Sequence, residues 1–336
     1  MIWRRSRNTW KPRRGADRVA VRKATAALNP LYPLGSNHRL AEAAAQCEER
    51  GSERPRSGTE RRAVKSLVAA GHRLEYAWHG PPPEEAPTLV FLHEGLGCVG
   101  MWRDFPAELA ARTGCGALVY SRLGYGGSEP VSLPRPLTYM HDEAMRVLPA
   151  VLDATAIHRA LLVGHSDGAS IALLHAGTPE SRPRVEALIL EAPHVFCEDV
   201  SVQSIARARE AWERGTLRGA LERWHGPNVE SAFLGWNDAW LDPGFRAWNI
   251  ESSLPEVRVP VLVIQGEDDE YGTLRQVEAI ERQCGAPVQS AVLQACGHVP
   301  HRDQRERTMG LMQQFVQEQL AARPAERAAA HPGDPA

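Results

Sequence analysis

The apolar positions of this chain come in short unbroken runs, separated by longer stretches whose apolar residues recur with helical spacing. Thr88-Leu89-Val90-Phe91-Leu92-His93, Gly116-Ala117-Leu118-Val119-Tyr120, Ala160-Leu161-Leu162-Val163 and Ala187-Leu188-Ile189-Leu190-Glu191 are runs of this kind, and Val259–Gln265 and Val288–Leu293 are further strand-like stretches. Runs so short, and apolar on both faces, predict parallel strands buried under helices. Ahead of them, Ala63–Ala70 and Arg73–His79 predict a leading antiparallel pair, with the stiff turn Pro81-Pro82-Pro83-Glu84-Glu85 after it. The intervening stretches predict a helix with Trp102, Phe105, Leu109 and Ala110 on one face and a second from about Tyr139 to Asp153. A third is expected over Ala169–Ala176 and a closing one near Thr308–Leu320. Parallel strands need crossover helices, and right-handed crossovers give an α/β fold: a mostly parallel central sheet covered by helices on both faces.

One interval breaks the alternation. From Phe196 to about Glu256 no strand-like run occurs, and five of the nine tryptophans fall there: Trp212, Trp224, Trp236, Trp240 and Trp248. On one reading this is a helical insertion whose large side chains make a small core of their own. On the other it is a lid over the strand ends, with Trp224, Trp236 and Trp240 lining a substrate pocket. Both can hold, with most of the rings structural. The expected organisation is a core of residues 61–195 and 257–320 carrying a helical cap, 196–256. The arginine-clustered stretch 1–60 reads as a disordered basic extension rather than a nucleic-acid or membrane arm, and a translation start further in stays open. Residues 321–336, rich in Ala, Pro and Arg, read as a disordered tail.

Composition changes this picture little. Hydrophobic residues at 43% and charged residues at 24% are ordinary for a soluble globular protein. A net charge of −2 gives no reason to expect a nucleic-acid partner. The six cysteines (Cys47, Cys98, Cys115, Cys197, Cys284, Cys296) form no C-x-x-C pair, which speaks against a metal site or a disulfide framework and for reduced thiols in a cytoplasm. No apolar stretch is long enough to span a bilayer, and the basic start Met1–Arg14 lacks the apolar centre of a secretion signal. A small-molecule substrate is expected, without nucleic acid or membrane as partner; a homo-oligomer stays open.

The chemistry gathers at Gly164-His165-Ser166-Asp167-Gly168, between the strand Ala160–Val163 and a helix. A serine at so sharp a strand-to-helix turn takes a strained backbone, and small flanking residues make room for it. Its hydroxyl then stands clear of the sheet beside the amide-rich end of the helix. Such a serine needs a base to take its proton and a third group to orient that base. Gly297-His298-Val299 follows the last apolar run, and Gly266-Glu267-Asp268-Asp269 follows the run before it. The chain order is therefore Ser166, an acid, then His298. His165 and His175 read as packing or capping groups, His141-Asp142 as a surface pair, and His301 as the alternative to His298. Gly124-Tyr125-Gly126-Gly127 is not followed by the lysine and hydroxyl of a phosphate loop, and no dinucleotide fingerprint follows the first central strand. No cofactor and no metal is expected.

These residues resemble the α/β-hydrolase superfamily, whose triad runs serine, acid, histidine. The likeness covers roughly residues 64–320 and extends to His93-Glu94-Gly95-Leu96-Gly97 and Ser121-Arg122-Leu123-Gly124-Tyr125-Gly126-Gly127-Ser128. It implies Asp269 as the acid, three residues after Gly266, in preference to Asp268. Glu191, at the end of an earlier strand where some relatives keep the acid, is the alternative. It also implies an oxyanion hole built from the backbone N–H groups of Asp167 and Gly95. The chain departs from the family at Glu94, where His-Gly is usual; a carboxylate there is expected to point away from the hole or to pair with a donor. The implied activity is that of a serine hydrolase cleaving a small or medium carboxylic ester through an acyl-enzyme. Carbon–carbon, lactone or amide hydrolysis on the same triad is the alternative within the fold, and a non-catalytic small-molecule receptor is the alternative outside it.

Overall fold

The computed structural model describes residues 65–330, Arg182 excepted. The expected extension 1–60 and the end of the tail therefore lie outside the described residues. Eight strands form one sheet in the order β1-β2-β4-β3-β5-β6-β7-β8. They are β1 (Ser66–Ala69), β2 (His72–His79), β3 (Thr88–Leu92), β4 (Gly116–Tyr120), β5 (Ala160–His165), β6 (Val185–Glu191), β7 (Val261–Gly266) and β8 (Val288–Leu293). The pairs β1–β2 and β2–β4 are antiparallel, and every other pair is parallel.

Strand periodicity divides the apolar runs between two cores. Leu89 and Phe91 of β3, Leu161 and Val163 of β5, and Ala187 and Ile189 of β6 point to one face. There they meet Phe105 and Leu109 of α1 (Phe105–Thr113), together with Met309, Met312 and Phe315 of the closing helix, Arg305–Ala330. Their neighbours Val90, Leu92, Leu162, Leu188 and Leu190 point to the other face. That face is covered by α2 (Tyr139–Asp142), a π-helical turn Glu143–Val147, α3 (Leu148–Ala154) and α4 (Asp167–Ala176). Because side chains alternate across a strand, a run apolar at every position has to be covered twice.

The structure refines the expected elements at three places. The helix expected to carry Trp102 and Phe105 on one face is broken: a 3₁₀ turn Val99–Trp102 ends at Arg103, whose φ is +54°, and α1 starts afresh at Phe105. All four expected face residues are nonetheless buried. The helix expected from Tyr139 is continuous to Ala154 but locally underwound by the π turn in its middle. The interval 196–256 holds α5 (Asp199–Glu213), α6 (Thr216–His225), α7 (Val229–Leu241) and short 3₁₀ turns, with one isolated bridge between Phe196 and Asn249. Its apolar residues do not form a separate core. Trp212 stacks on Phe233 at 4.2 Å, and Phe233, Trp236 and Trp240 continue the core of the second sheet face.

Candidate active site

Ser166 joins β5 to α4 with φ +53° and ψ −117°. An L residue reaches that conformation only when the surrounding structure over-determines it. Its N–H donates to the Glu191 carbonyl at 2.9 Å, while its own carbonyl accepts from Ala169 N at 2.9 Å and Ser170 N at 3.1 Å. A Cβ on Gly168 would stand 2.0 Å from the Leu92 carbonyl oxygen, so β3 and the first turn of α4 approach as closely as they do only with glycine there. Ser166 is 7% exposed.

After β8 the chain returns to the same edge. His298 Nδ1 lies 2.9 Å from both carboxylate oxygens of Asp269, which stands three residues beyond the end of β7. The Asp269 carboxylate also accepts from Tyr271 N at 2.7 Å, Gly272 N at 3.2 Å and Gln265 Nε2 at 2.7 Å. Burial works against its charge, but His298 and these donors outweigh burial and bring its pKa down to about 2. Asp269 is therefore ionised throughout the neutral range and holds Nδ1–H of His298, leaving Nε2 as the basic nitrogen. Ser166 Oγ and His298 are not hydrogen bonded among the described contacts, a looseness common in sites without substrate.

The alternatives are placed apart from His298. Asp268 is exposed and makes no contact with it among the described residues. Glu191 is fully buried and is taken by His301, whose Nδ1 and backbone N–H both lie 2.9 Å from Oε2. The two runner-up residues thus satisfy each other.

The two amides expected at the serine belong to Asp167, which follows it, and to Gly95, in the loop after β3. Among the described hydrogen bonds, neither the Gly95 N–H nor the Asp167 N–H is donated to any acceptor. One buried arginine braces both segments. Arg122 donates to the Glu94 carbonyl at 2.8 Å, and its Nη1 stands 3.8 Å from Asp167 Oδ2. His93 completes the brace: its Nε2 accepts from Arg122 N at 3.0 Å, so its Nδ1–H donates to the Glu94 carbonyl at 2.7 Å. The Asp167 carboxyl accepts from Tyr139 Oη at 2.6 Å, and burial pushes its pKa up against the pull of Arg122.

Of the three tryptophans expected at a pocket, Trp236 lies against the loop after β3: its indole Nε1 stands 2.2 Å from where a Cβ on Gly95 would be. Trp240 packs on His194 at 5.2 Å between ring centroids and donates to Tyr139 Oη at 3.1 Å. Trp224 packs on Gly100, further along the loop.

Sequence reasoning passed over His194 and Tyr271. The His194 ring is 5.7 Å from His298, and that of Tyr271 is 4.7 Å away. Burial, with His298 adding to it, takes the His194 pKa down to about 3, so the ring is neutral. Its place three residues past β6, at the edge where the other groups emerge, was the available signal.

The arrangement of strand, serine elbow, acid and histidine coincides with a sequence match. Residues 89–310 fit the profile of the Alpha/beta hydrolase family. The chain belongs to that family. Among curated proteins, one that matches is the 2-succinyl-6-hydroxy-2,4-cyclohexadiene-1-carboxylate synthase of Salmonella paratyphi C, 30% identical over 119 residues. That match takes in 35% of this chain and 43% of the Salmonella protein, so the chain spans under half the length of that relative. Among solved structures, an esterase from Exiguobacterium antarcticum superposes with a TM-score of 0.62 at 18% identity, covering 75% of this chain and 99% of the esterase. The enol-lactonase of Burkholderia xenovorans LB400 gives 0.58 at 18% identity, over 75% of this chain and 99% of that one. At these identities the structures share the hydrolase fold.

Proposed function

We propose that this α/β hydrolase is a serine hydrolase acting on a small or medium carboxylic ester, with Ser166 as nucleophile, His298 as base and Asp269 as orienting acid. The observation that carries the reading is the pair of 2.9 Å contacts from His298 Nδ1 to Asp269, beside a serine held at φ +53°. Ser166 Oγ attacks the ester carbonyl as His298 Nε2 takes its proton. The carbonyl oxygen becomes an oxyanion facing the Gly95 and Asp167 amides. His298 then returns the proton to the leaving alcohol. Water, deprotonated by the same nitrogen, resolves the acyl-enzyme and regenerates Ser166.

In this reading the segment 196–256 is the roof of the acyl pocket, with Trp236 over Gly95 and Trp240 behind His194. An indole facing the acyl chain gains by burying apolar surface, at about 25 cal/mol per Å². The expected result is a kcat/KM that rises a few-fold per added methylene from p-nitrophenyl acetate to hexanoate, within the roughly 1–3 kcal/mol such a pocket discriminates. Trp236→Ala should flatten the series more than Trp224→Ala, because Trp224 packs on Gly100 rather than on Gly95. A flat series unaffected by either variant, or by Trp240→Ala, would make the indoles core residues only. Lactone, amide and dienone substrates on the same protein test the ester assignment: turnover of one of these well above the best ester would replace it.

A further inference from the structure

Glu94, where the chain departs from its family, reaches a partner that the triad does not use. Its Oε2 lies 3.5 Å from Nδ1 of His165, the residue before the nucleophile. The other His165 nitrogen, Nε2, lies 2.7 Å from the backbone carbonyl oxygen of His298. A carbonyl can only accept, so Nε2 carries a proton. Nδ1 has no hydrogen-bond partner among the described residues, and the carboxylate is the polar group it faces. In a neutral ring the buried Nδ1 lone pair would be turned toward a half-buried carboxylate, two acceptors opposed with Nδ1 left unsatisfied. Protonation of Nδ1 removes that conflict and creates an ion pair.

We infer that His165 is a buried imidazolium and that the Glu94–His165 pair positions the site, tying the loop of Gly95 and the loop of His298 to the strand that leads into Ser166. The roles of those three segments rest on the triad reading above; the charge state of His165 does not. Other groups facing His165 are consistent with it. Glu191 faces it from the end of β6 but is engaged by His301, whose ring is 5.3 Å from that of His165. The His298 ring is 5.2 Å away, Trp102 closes the cluster at 6.3 Å, and His194 is neutral. Burial works against protonating His165, yet Glu94 outweighs it and holds its pKa above the ordinary value. Burial likewise works against ionising Glu94, and His165 holds that carboxyl well below the usual range. The proton on Nδ1 is therefore held below the ordinary histidine value and lost only as pH rises past the raised one. Without Glu94, burial dominates and the ring becomes neutral.

Two readouts test this. In Ser166→Ala protein, imidazole-nitrogen NMR at pH 6 should show both His165 nitrogens protonated; adding Glu94→Ala should leave only Nε2–H. On the Ser166 background, Glu94→Ala should lower kcat about 10–100-fold with KM within about threefold, the signature of misplaced groups rather than lost substrate contacts. Glu94→Gln, which can still hydrogen-bond Nδ1, should recover part of the loss. A neutral His165 at pH 6 with Glu94 present would overturn the inference. So would an unchanged kcat in Glu94→Ala, or a loss carried by KM alone. Full turnover by Ser166→Ala would instead remove the triad reading while leaving the NMR result standing, so the two failures are distinguishable.

Discussion

Ser166→Ala is expected to leave a folded protein whose kcat is lower by about 10⁴–10⁶, the loss typical when the nucleophile of a triad is removed. The fold should tolerate the change, because Ser166 holds its neighbours through backbone groups. Its N–H bonds the Glu191 carbonyl and its carbonyl caps the first turn of α4, and alanine keeps both. Nor does alanine add strain at φ +53°, since serine already has a Cβ there. Melting temperature and kcat together give the check: an unchanged melting temperature with kcat at or near background is expected. More than a few per cent of residual turnover would show that the hydroxyl is not the nucleophile.

Asp269→Asn should have the next largest effect, a fall in kcat of about 10⁴, because the amide favours the wrong tautomer of the histidine. Both carboxylate oxygens lie 2.9 Å from His298 Nδ1. An Asn Nδ2 placed there donates to Nδ1, so the ring proton moves to Nε2 and the base is lost. Asp268→Asn should leave kcat nearly unchanged, since that side chain is exposed and apart from His298. Steady-state kinetics on the two single variants decide the matter. Reversed effects would exchange the two aspartates. If neither variant affects kcat, Glu191 with His301 becomes the working pair, since those two lie 2.9 Å apart.

How much of this was legible in the sequence depended on how local the determining physics was. The strand β4 occupies Gly116–Tyr120, the limits its apolar run implies, because burial on both faces requires an unbroken run. The serine elbow was equally legible, since its backbone demands small residues at fixed offsets. The helix α8 (Leu274–Gln283) spaces Leu274, Val277 and Ile280 helically but carries few apolar residues between charged ones. Its buried face includes Gln276, whose side chain accepts from Val195 N at 2.7 Å and donates to Glu198 Oε2 at 2.8 Å. A polar residue buried through partners some 80 positions away cannot be told from an exposed one by periodicity. The break at Arg103 and the π turn at Glu143–Val147 were hidden for a related reason: neither alters which residues are buried. Glu94 was legible as an anomaly but not as half of a pair. Its partner lies 71 positions further on and meets it only because β3 and β5 are neighbours in the sheet.

The central claim is that the elbow serine becomes acylated with His298 and Asp269 behind it. Labelling with a fluorophosphonate, followed by peptide mass spectrometry, tests it most directly, because the reagent requires an activated serine but no knowledge of the substrate. The account predicts one adduct, on the peptide containing Ser166, formed slowly or not at all in Asp269→Asn and absent from heat-denatured protein. No adduct on the folded protein, or an adduct on another serine that forms equally well in Ser166→Ala, would contradict it.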